Sequence, residues 1–149
     1  ALTGAEVLGV SRSAGRAALL PPGIGHSSDA ELQADLQGGR WARADLVVDC
    51  TGNPEGLALA TSLVRPGGTL VLKTTTHDVA APNPTPWVID EITVLGSRCG
   101  PFAPALRLLA AGLVDPLPLI TAELALADGV AALARAGEPD AVKVLLRMG

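Results

Sequence analysis

The stretch from residue 44 to residue 73 constrains the fold most, because it predicts a strand, a helix and a second strand in immediate succession. Leu46-Val47-Val48 is a short apolar run typical of a strand buried on both faces. Asn53 provides an N-cap for the following helix, which Arg65-Pro66-Gly67-Gly68 ends. Thr69-Leu70-Val71-Leu72 then supplies the second strand, so the stretch predicts a parallel βαβ unit.

Polar residues follow both predicted strands. Cys50 and Thr51 come after the first strand, and Thr74 and Thr75 come after the second. In open parallel sheets, ligands bind beyond the carboxyl ends of the strands. There the hydroxyls of Thr74, Thr75 and Thr76 suit a nicotinamide amide or a ribose. Threonines that leave a strand also satisfy their own backbone, so both interpretations stay open.

Composition excludes several classes of protein. The chain has 149 residues, of which 48% are hydrophobic, enough for the core of one domain. The net charge of −4 argues against a nucleic-acid-binding surface, which needs a clustered basic face. Because no apolar run approaches the ~20 residues of a membrane span and no signal peptide is visible, we expect a soluble, cytoplasmic chain without membrane partners.

Residues that bind metals or transfer protons are few. Cys50 and Cys99 match no C-x-x-C pattern, so we expect two free thiols and no metal site in this chain. His26 follows a glycine-rich turn, where a surface position is expected. His77 is adjacent to Asp78, but neighbouring side chains do not naturally face each other. The sequence therefore predicts no catalytic residue.

The first residues, Ala1-Leu2-Thr3-Gly4, are typical of the end of a helix with a glycine C-cap, and a predicted strand over residues 6–11 follows at once. A doubly wound dinucleotide-binding fold should instead open with a strand and a G-x-G-x-x-G turn, and no such motif exists in this sequence. We therefore expect an α/β fold with a partial doubly wound parallel sheet, from which the first strand and most of the first helix are missing.

Ser11, Arg12 and Arg16 follow this opening strand. In a dinucleotide-binding fold the end of the second strand faces the adenosine ribose, where a carboxylate binds the 2′-hydroxyl and an arginine accommodates a 2′-phosphate. The pair Ser11-Arg12 offers a hydroxyl and a guanidinium without a carboxylate, which favours a 2′-phosphate. A solvated arginine near a helix start explains Arg12 equally well.

The remaining pattern alternates strands and helices. A short strand near Gly25-His26 precedes a helix capped by Ser27 or Ser28, and the stretch from Thr74 to Pro86 reads as a loop. Arg98 follows another predicted strand, and Lys143 lies in the last one. The predicted elements are helix 29–36, strand 92–96, helix 102–111, a strand from 119, helix 128–136 and strand 141–146.

The order of these pieces resembles the carboxy-terminal part of the medium-chain dehydrogenase/reductase family, the zinc alcohol dehydrogenases and their relatives. The likeness covers nearly the whole chain. Its matching segments are Thr3-Gly4-Ala5-Glu6-Val7, the strand and turn 45–52, Arg65-Pro66-Gly67-Gly68, strand 92–96, the turn 112–116, residues 119–121 and residues 141–144.

The resemblance implies that residues 1–99 form part of a Rossmann domain, and that residues 100–149 comprise a bridging helix and a tail belonging to a catalytic domain. It implies that Lys143 approaches the cofactor phosphate and that Ser11 and Arg12 select NADP over NAD. The strand 92–96 resembles one that pairs across a homodimer. The family's glycine fingerprint, zinc ligands and GroES-like domain have no counterpart here, so zinc belongs to the parent protein and a preceding segment is expected.

We therefore expect the cofactor-binding part of an NADP-dependent oxidoreductase that transfers a hydride between nicotinamide and an alcohol or carbonyl substrate. The expected cofactor contacts are Ser11, Arg12, Arg16, Cys50, Thr51, Thr74, Thr75, Arg98 and Lys143. The alternatives are a non-catalytic nucleotide-binding or dimerisation module and a zinc-free quinone oxidoreductase-like reductase. We expect the 149-residue chain alone to be inactive.

Overall fold

The computed structural model describes residues 4–11, 13–39, 42–75 and 82–149. The strands are β1 (Leu8–Val10), β2 (Gly25–Ser27), β3 (Ala44–Asp49), β4 (Val64–Leu72), β5 (Thr93–Gly96), β6 (Ile120–Ala125) and β7 (Lys143–Arg147). The helices are α1 (Ala14–Ala17), α2 (Asp29–Gln37), α3 (Pro54–Leu63), α4 (Thr85–Ile89), α5 (Phe102–Ala110) and α6 (Gly129–Ala136). The chain divides into two compact units, Ala1–Ser27 with Pro101–Gly149, and Ser28–Gly100.

The unit Ser28–Gly100 is built on a three-stranded sheet in the order β3-β4-β5. Both strand pairs are parallel, and Val47, Leu70 and Val94 lie in register across them. The parallel pairing predicted for the βαβ unit is therefore confirmed. The helix α3 connects β3 to β4, and Ala60 on this helix belongs to the same buried cluster as Leu70. This packing fixes the carboxyl ends of the strands relative to the start of α3.

The strand β4 begins earlier than the sequence predicts. It starts at Val64, directly after α3, so the predicted helix-ending turn at residues 65–68 lies inside the strand. Val64 pairs with Ala44, and the register shifts before the regular pairing of Leu46 with Thr69. Gly67 makes this irregularity possible because it has a φ of 68°, and its N–H donates to Asp90 O at 2.7 Å.

Within the described residues, β3 is the edge strand of its sheet and pairs on one side only, with β4. Its Leu46 and Val48 side chains are 56% and 49% exposed, and they alternate with Val47, which packs against the core cluster. The open edge of β3 agrees with the expected partial Rossmann sheet. The prediction that this strand is buried on both faces is wrong for the described residues, because only the face that carries Val47 packs against the core.

Two helices of this unit show how local signals succeed and fail. The predicted helix after Ser28 is confirmed as α2, whose Ser28 hydroxyl accepts from Glu31 N in a capping box. In contrast, the sequence predicts a loop up to residue 86, and the structure forms α4 from residue 85. The Trp87 Nε1 donates to Thr61 Oγ1 at 3.1 Å, so a contact with α3 stabilises this proline-containing helix.

The other unit contains two pairs of parallel strands. β1 pairs with β2, with Gly9 opposite His26, and β6 pairs with β7. The predicted helix over 128–136 is confirmed as α6, and the predicted helix 102–111 is confirmed as α5, followed by Gly112 with a φ of 65°. None of the helices in the described part of the chain has the length and apolar character to span a membrane.

Candidate functional site

A buried carboxylate organises the carboxyl end of β3. Asp49 is the last residue of the strand and is 5% exposed. Its Oδ1 accepts hydrogen bonds from Thr51 N at 3.0 Å and from Thr51 Oγ1 at 2.7 Å. Charge-assisted bonds of this kind are stronger than neutral ones, so Asp49 fixes both the backbone and the hydroxyl of Thr51. Cys50, between them, is exposed.

The turn after Thr51 is tightly built. Gly52 has a φ of 81°, a conformation that side-chain-bearing residues rarely adopt. Asn53 then caps α3 through its Oδ1, which accepts from Gly56 N at 2.8 Å. A methyl group on Gly56 would overlap Cβ and Oγ1 of Thr51 and lie 2.5 Å from its Cγ2. The strand end and the start of α3 therefore approach closely only because residue 56 is a glycine.

The carboxyl end of β4 lies beside the carboxyl end of β3. Lys73 N donates to Asp49 O at 3.0 Å, and Thr74 Oγ1 donates to the same oxygen at 3.4 Å. Thr74 Cγ2 lies 3.6 Å from where a Cβ would stand on Gly52. The structure thus brings Thr74 beside the turn that holds Thr51, while the side chain of Thr75 is exposed.

Two hydrogen bonds connect the residues that follow β5 to the carboxyl end of β4. Ser97 N donates to Leu72 O at 2.9 Å, and the Lys73 Nζ donates to Arg98 O at 2.9 Å. The Arg98 side chain is exposed. Three parallel strands therefore end at one edge, where Cys50, Thr51, Thr74, Thr75 and Arg98 are gathered, as the sequence pattern predicts.

A cavity of about 450 Å³ adjoins this edge. Its volume lies in the range of small-molecule pockets. Its walls include the apolar side chains of α3 and α4 and the polar groups of the turn just described. The lining includes Asp49, Asn53, Leu57, Thr61, Thr74 and Trp87.

The remaining predicted site residues lie in the other unit. Ser11 follows β1, and its Oγ lies 3.1 Å from Ser13 O and 3.1 Å from His26 Nε2. Arg12 lies outside the described residues. Arg16 is exposed on α1.

Arg16 and the two residues before Lys143, Ala141 and Val142, line a second cavity. This cavity, of about 260 Å³, is lined by Arg16, Leu19, Leu20, Leu119, Ala141 and Val142. Lys143 begins β7 with an exposed side chain, and its N–H donates to Thr121 Oγ1 at 3.3 Å. The structure therefore brings Arg16 near the residues that lead into Lys143.

Three residues that build these sites are not among the cofactor contacts expected from the sequence, although Lys73 belongs to the predicted strand-end segment and His26 is exposed as predicted. Asp49 and Lys73 hold the strand ends together, and His26 contacts Ser11. The spacing of Asp49 and Thr51 is a recognisable local signal, because an aspartate often bonds the backbone two residues on. The contacts of Lys73 and His26 join separate strands, so no local signal reveals them.

No group of three or more His, Cys, Asp and Glu side chains in the described ranges could hold a metal ion. Cys50 and Cys99 both have exposed thiols. What the described residues place together is the polar carboxyl ends of β3 and β4 and the capped start of α3. This combination of parallel strands, a βαβ crossover and polar carboxyl ends defines the class of doubly wound, nucleotide-binding α/β proteins.

The profile of the zinc-binding dehydrogenase family matches residues 1–111. The chain belongs to this family, and it corresponds to the carboxy-terminal portion of the medium-chain alcohol dehydrogenases, as the sequence resemblance predicts. A curated relative is the "Putative D-xylulose reductase" of Rhizobium meliloti (strain 1021), which is 34% identical over 79% of this chain and 35% of the relative. The chain therefore spans about a third of that relative's length.

Solved structures share the fold. A "short chain alcohol dehydrogenase (rspB)" from E. coli CFT073 complexed with NADH has a TM-score of 0.79 and 20% identity, and the match covers 96% of this chain and 44% of that one. A "putative zinc-binding dehydrogenase" from Sinorhizobium meliloti 1021 bound to NADP has a TM-score of 0.79 and 22% identity, covering 95% of this chain and 44% of its own. At these identities the likeness establishes the fold.

Proposed function

We propose that this chain is the cofactor-binding part of an NADP-dependent dehydrogenase that interconverts an alcohol and a carbonyl compound. The observation that carries the proposal is the convergence of Thr51 and Thr74 on Asp49, at the shared carboxyl edge of three parallel strands. Ligands of doubly wound folds bind at such edges. The family membership of the chain supports the same activity.

In this proposal two groups of residues hold the two ends of the cofactor. Thr51, with Cys50, contacts the adenosine side, and Thr74 and Thr75 contact the nicotinamide end. The fixed Thr51 hydroxyl suits this role because its proton is already committed to Asp49, which leaves its lone pairs to accept from a ribose hydroxyl. Arg98 supplies a further contact at the strand ends.

The proposed 2′-phosphate contacts are Ser11, Arg12 and Arg16, and the proposed pyrophosphate contact is Lys143. The first three offer one hydroxyl and two guanidinium groups without a carboxylate, and arginine binds phosphate through parallel hydrogen bonds. NAD has a free ribose 2′-hydroxyl, which is usually bound by a carboxylate of the protein. Because these three residues include no carboxylate, NAD is the less favoured cofactor. A nicotinamide dinucleotide supplies the hydride chemistry, and this chain positions it.

The proposal extends to the protein that contains this chain. We assign residues 1–99 to the dinucleotide-binding domain and residues 100–149 to a bridging helix and catalytic-domain tail. We expect a cytoplasmic homodimer that pairs through β5, with zinc and the glycine fingerprint supplied outside this chain. The similarity to a D-xylulose reductase favours a polyol or its ketose as the substrate.

The test measures kcat/KM for NADPH and NADH with the complete protein and a polyol–ketose pair. Arg12→Asp introduces the carboxylate that favours a 2′-hydroxyl, so we expect it to reverse the preference toward NADH. Arg107→Asp, on the exposed surface of α5, is the matched control and should leave the preference unchanged. An unaltered cofactor preference in Arg12→Asp would refute the assignment.

Two further outcomes separate the rival functions. Cofactor binding without turnover of any alcohol or carbonyl compound would instead support a non-catalytic nucleotide-binding module. Turnover that survives complete removal of zinc from the protein would support a zinc-free reductase. Loss of activity on zinc removal is the result that the proposal predicts.

A further inference from the structure

The cavity of about 450 Å³ at the carboxyl edge of β3 lies within the unit Ser28–Gly100 and has mostly apolar walls. Leu57, Leu72 and Trp87 contribute to these walls and also pack against the buried core cluster. Among the described residues, the lining contains no Lys, Arg or His. The protein therefore offers a ligand in this cavity an apolar surface without a positively charged side chain.

Asp49 also lines this cavity, and one of its two carboxylate oxygens lacks a partner. Oδ1 accepts both hydrogen bonds from Thr51. Within the described residues, Oδ2 accepts no hydrogen bond and Asp49 forms no ion pair. Lys73 donates its N–H to Asp49 O, but its Nζ donates to Arg98 O. Because Asp49 is 5% exposed, bulk water compensates Oδ2 poorly, and a buried acceptor without a donor costs free energy.

Two other polar side chains of the lining are already hydrogen-bonded. Asn53 Oδ1 accepts from Gly56 N at 2.8 Å, and Thr61 Oγ1 accepts from Trp87 Nε1 at 3.1 Å. An ionised carboxylate oxygen can only accept, so a ligand that satisfies Asp49 Oδ2 must be a hydrogen-bond donor. A positively charged donor forms a bond roughly twice as strong as a neutral one.

We propose that this cavity is a binding site for a small organic ammonium ion. The N–H of the ion donates to Asp49 Oδ2, and its hydrocarbon part contacts the apolar walls of α3 and α4. The volume of the cavity suits a small molecule. The site is additional to the proposed function, and it depends neither on NADP nor on an alcohol substrate.

The test compares three probes that share one hydrocarbon ring: cyclohexylammonium, cyclohexanol and cyclohexanecarboxylate. Each probe is titrated into the complete, isotope-labelled protein without cofactor, and amide chemical shifts locate the binding site. We expect cyclohexylammonium to shift the amides of residues 49–51 and 57–58 and to bind about 5-fold or more tightly than cyclohexanol. Cyclohexanecarboxylate should not bind there, because its charge has the same sign as that of Asp49. Equal affinities for the ammonium ion and the alcohol would overturn the proposal.

Two variants and a control test the residues of the site. Asp49→Asn keeps an oxygen that accepts from Thr51 and replaces the other oxygen with an amide donor, so it should weaken cyclohexylammonium binding by about 10-fold or more. Ala58→Leu fills part of the cavity and leaves Asp49 in place, so it should weaken binding of cyclohexylammonium and cyclohexanol alike. Ser62→Leu, at an exposed position of α3 outside the lining, is the matched control and should leave both affinities unchanged.

The outcomes separate this proposal from the proposed function. An unchanged affinity for cyclohexylammonium in folded Asp49→Asn, or in Ala58→Leu, would overturn the ammonium site. Competition between cyclohexylammonium and NADPH would also overturn it, because the cavity would then belong to the cofactor, and the proposed function would stand. A protein that binds the ammonium ion as expected but does not bind NADPH would overturn the cofactor assignment alone. The unfolding temperature of each variant verifies that it is folded, and if Asp49→Asn is not, the comparison of Ala58→Leu with Ser62→Leu decides the proposal.

Discussion

Replacing Gly56 with alanine tests how the site is assembled. In an exposed helix interior this substitution normally stabilises a protein by up to about 1 kcal/mol, because alanine has the higher helix propensity. At Gly56 the added methyl group would overlap Cβ and Oγ1 of Thr51. Thr51 cannot move freely, since its N–H and its hydroxyl are both bonded to Asp49.

The expected magnitude combines three terms. Overpacking of this kind costs about 1–3 kcal/mol. Displacing Thr51 weakens hydrogen bonds to an ionised acceptor, worth about 1.5–3 kcal/mol each. Since the propensity gain offsets at most about 1 kcal/mol, we expect a net destabilisation of about 2 kcal/mol or more. The KM for the cofactor should rise as well, because the Thr51 hydroxyl leaves its bound position.

The assay is denaturant unfolding of the complete protein, followed by cofactor kinetics. Gly129→Ala is the matched control, because a methyl group at this first residue of α6 meets nothing within 4 Å. Thr51→Gly removes the overlapping atoms and should make Gly56→Ala tolerable in a double-mutant cycle. If Gly56→Ala is as stable as Gly129→Ala, the close approach that we describe is refuted.

Three further substitutions test other parts of the structure. Gly68→Ala should destabilise by about 1–3 kcal/mol, because its methyl group would lie 2.9 and 3.0 Å from two backbone carbonyls; a wild-type denaturation midpoint would contradict this. A hydrogen bond from Arg135 lowers the pKa of Asp140, so its stabilisation is present at neutral pH and lost as pH falls through that lowered pKa. The unfolding temperatures of wild type and Asp140→Asn should therefore differ at pH 7 and converge only as the pH falls through that lowered pKa; a constant difference would argue against this linkage. Thr61 is a buried residue, 9% exposed, and Trp87→Phe removes the donor that its hydroxyl accepts from. This change should cost about 1–3 kcal/mol and less in a Thr61→Val background; equal losses in both backgrounds would exclude the bond.

The parts of the fold that the sequence predicts are those with local causes. Asn53 and Ser28 cap their helices through side chains within three residues, and the apolar run around Val47 forms a strand. These signals suffice to predict the βαβ unit, and with it the gathering of Thr51 and Thr74 at one edge.

The parts that the sequence misses have causes distant along the chain. The helix α4 contains a proline and contacts α3 through Trp87, and β4 extends back to Val64 because of its pairing with Ala44. Likewise, His26 meets Ser11 only through the register of two parallel strands. Propensity and spacing describe one segment at a time, so they carry no information about these contacts.

Hydrogen exchange of the complete protein, with and without NADPH, tests the central claim most directly. If the cofactor binds at the carboxyl edge of β3 and β4, the amides of residues 50–52 and 74–75 should exchange more slowly when NADPH is present. Unchanged exchange in both segments at saturating NADPH, with protection appearing elsewhere in the protein, would contradict the account.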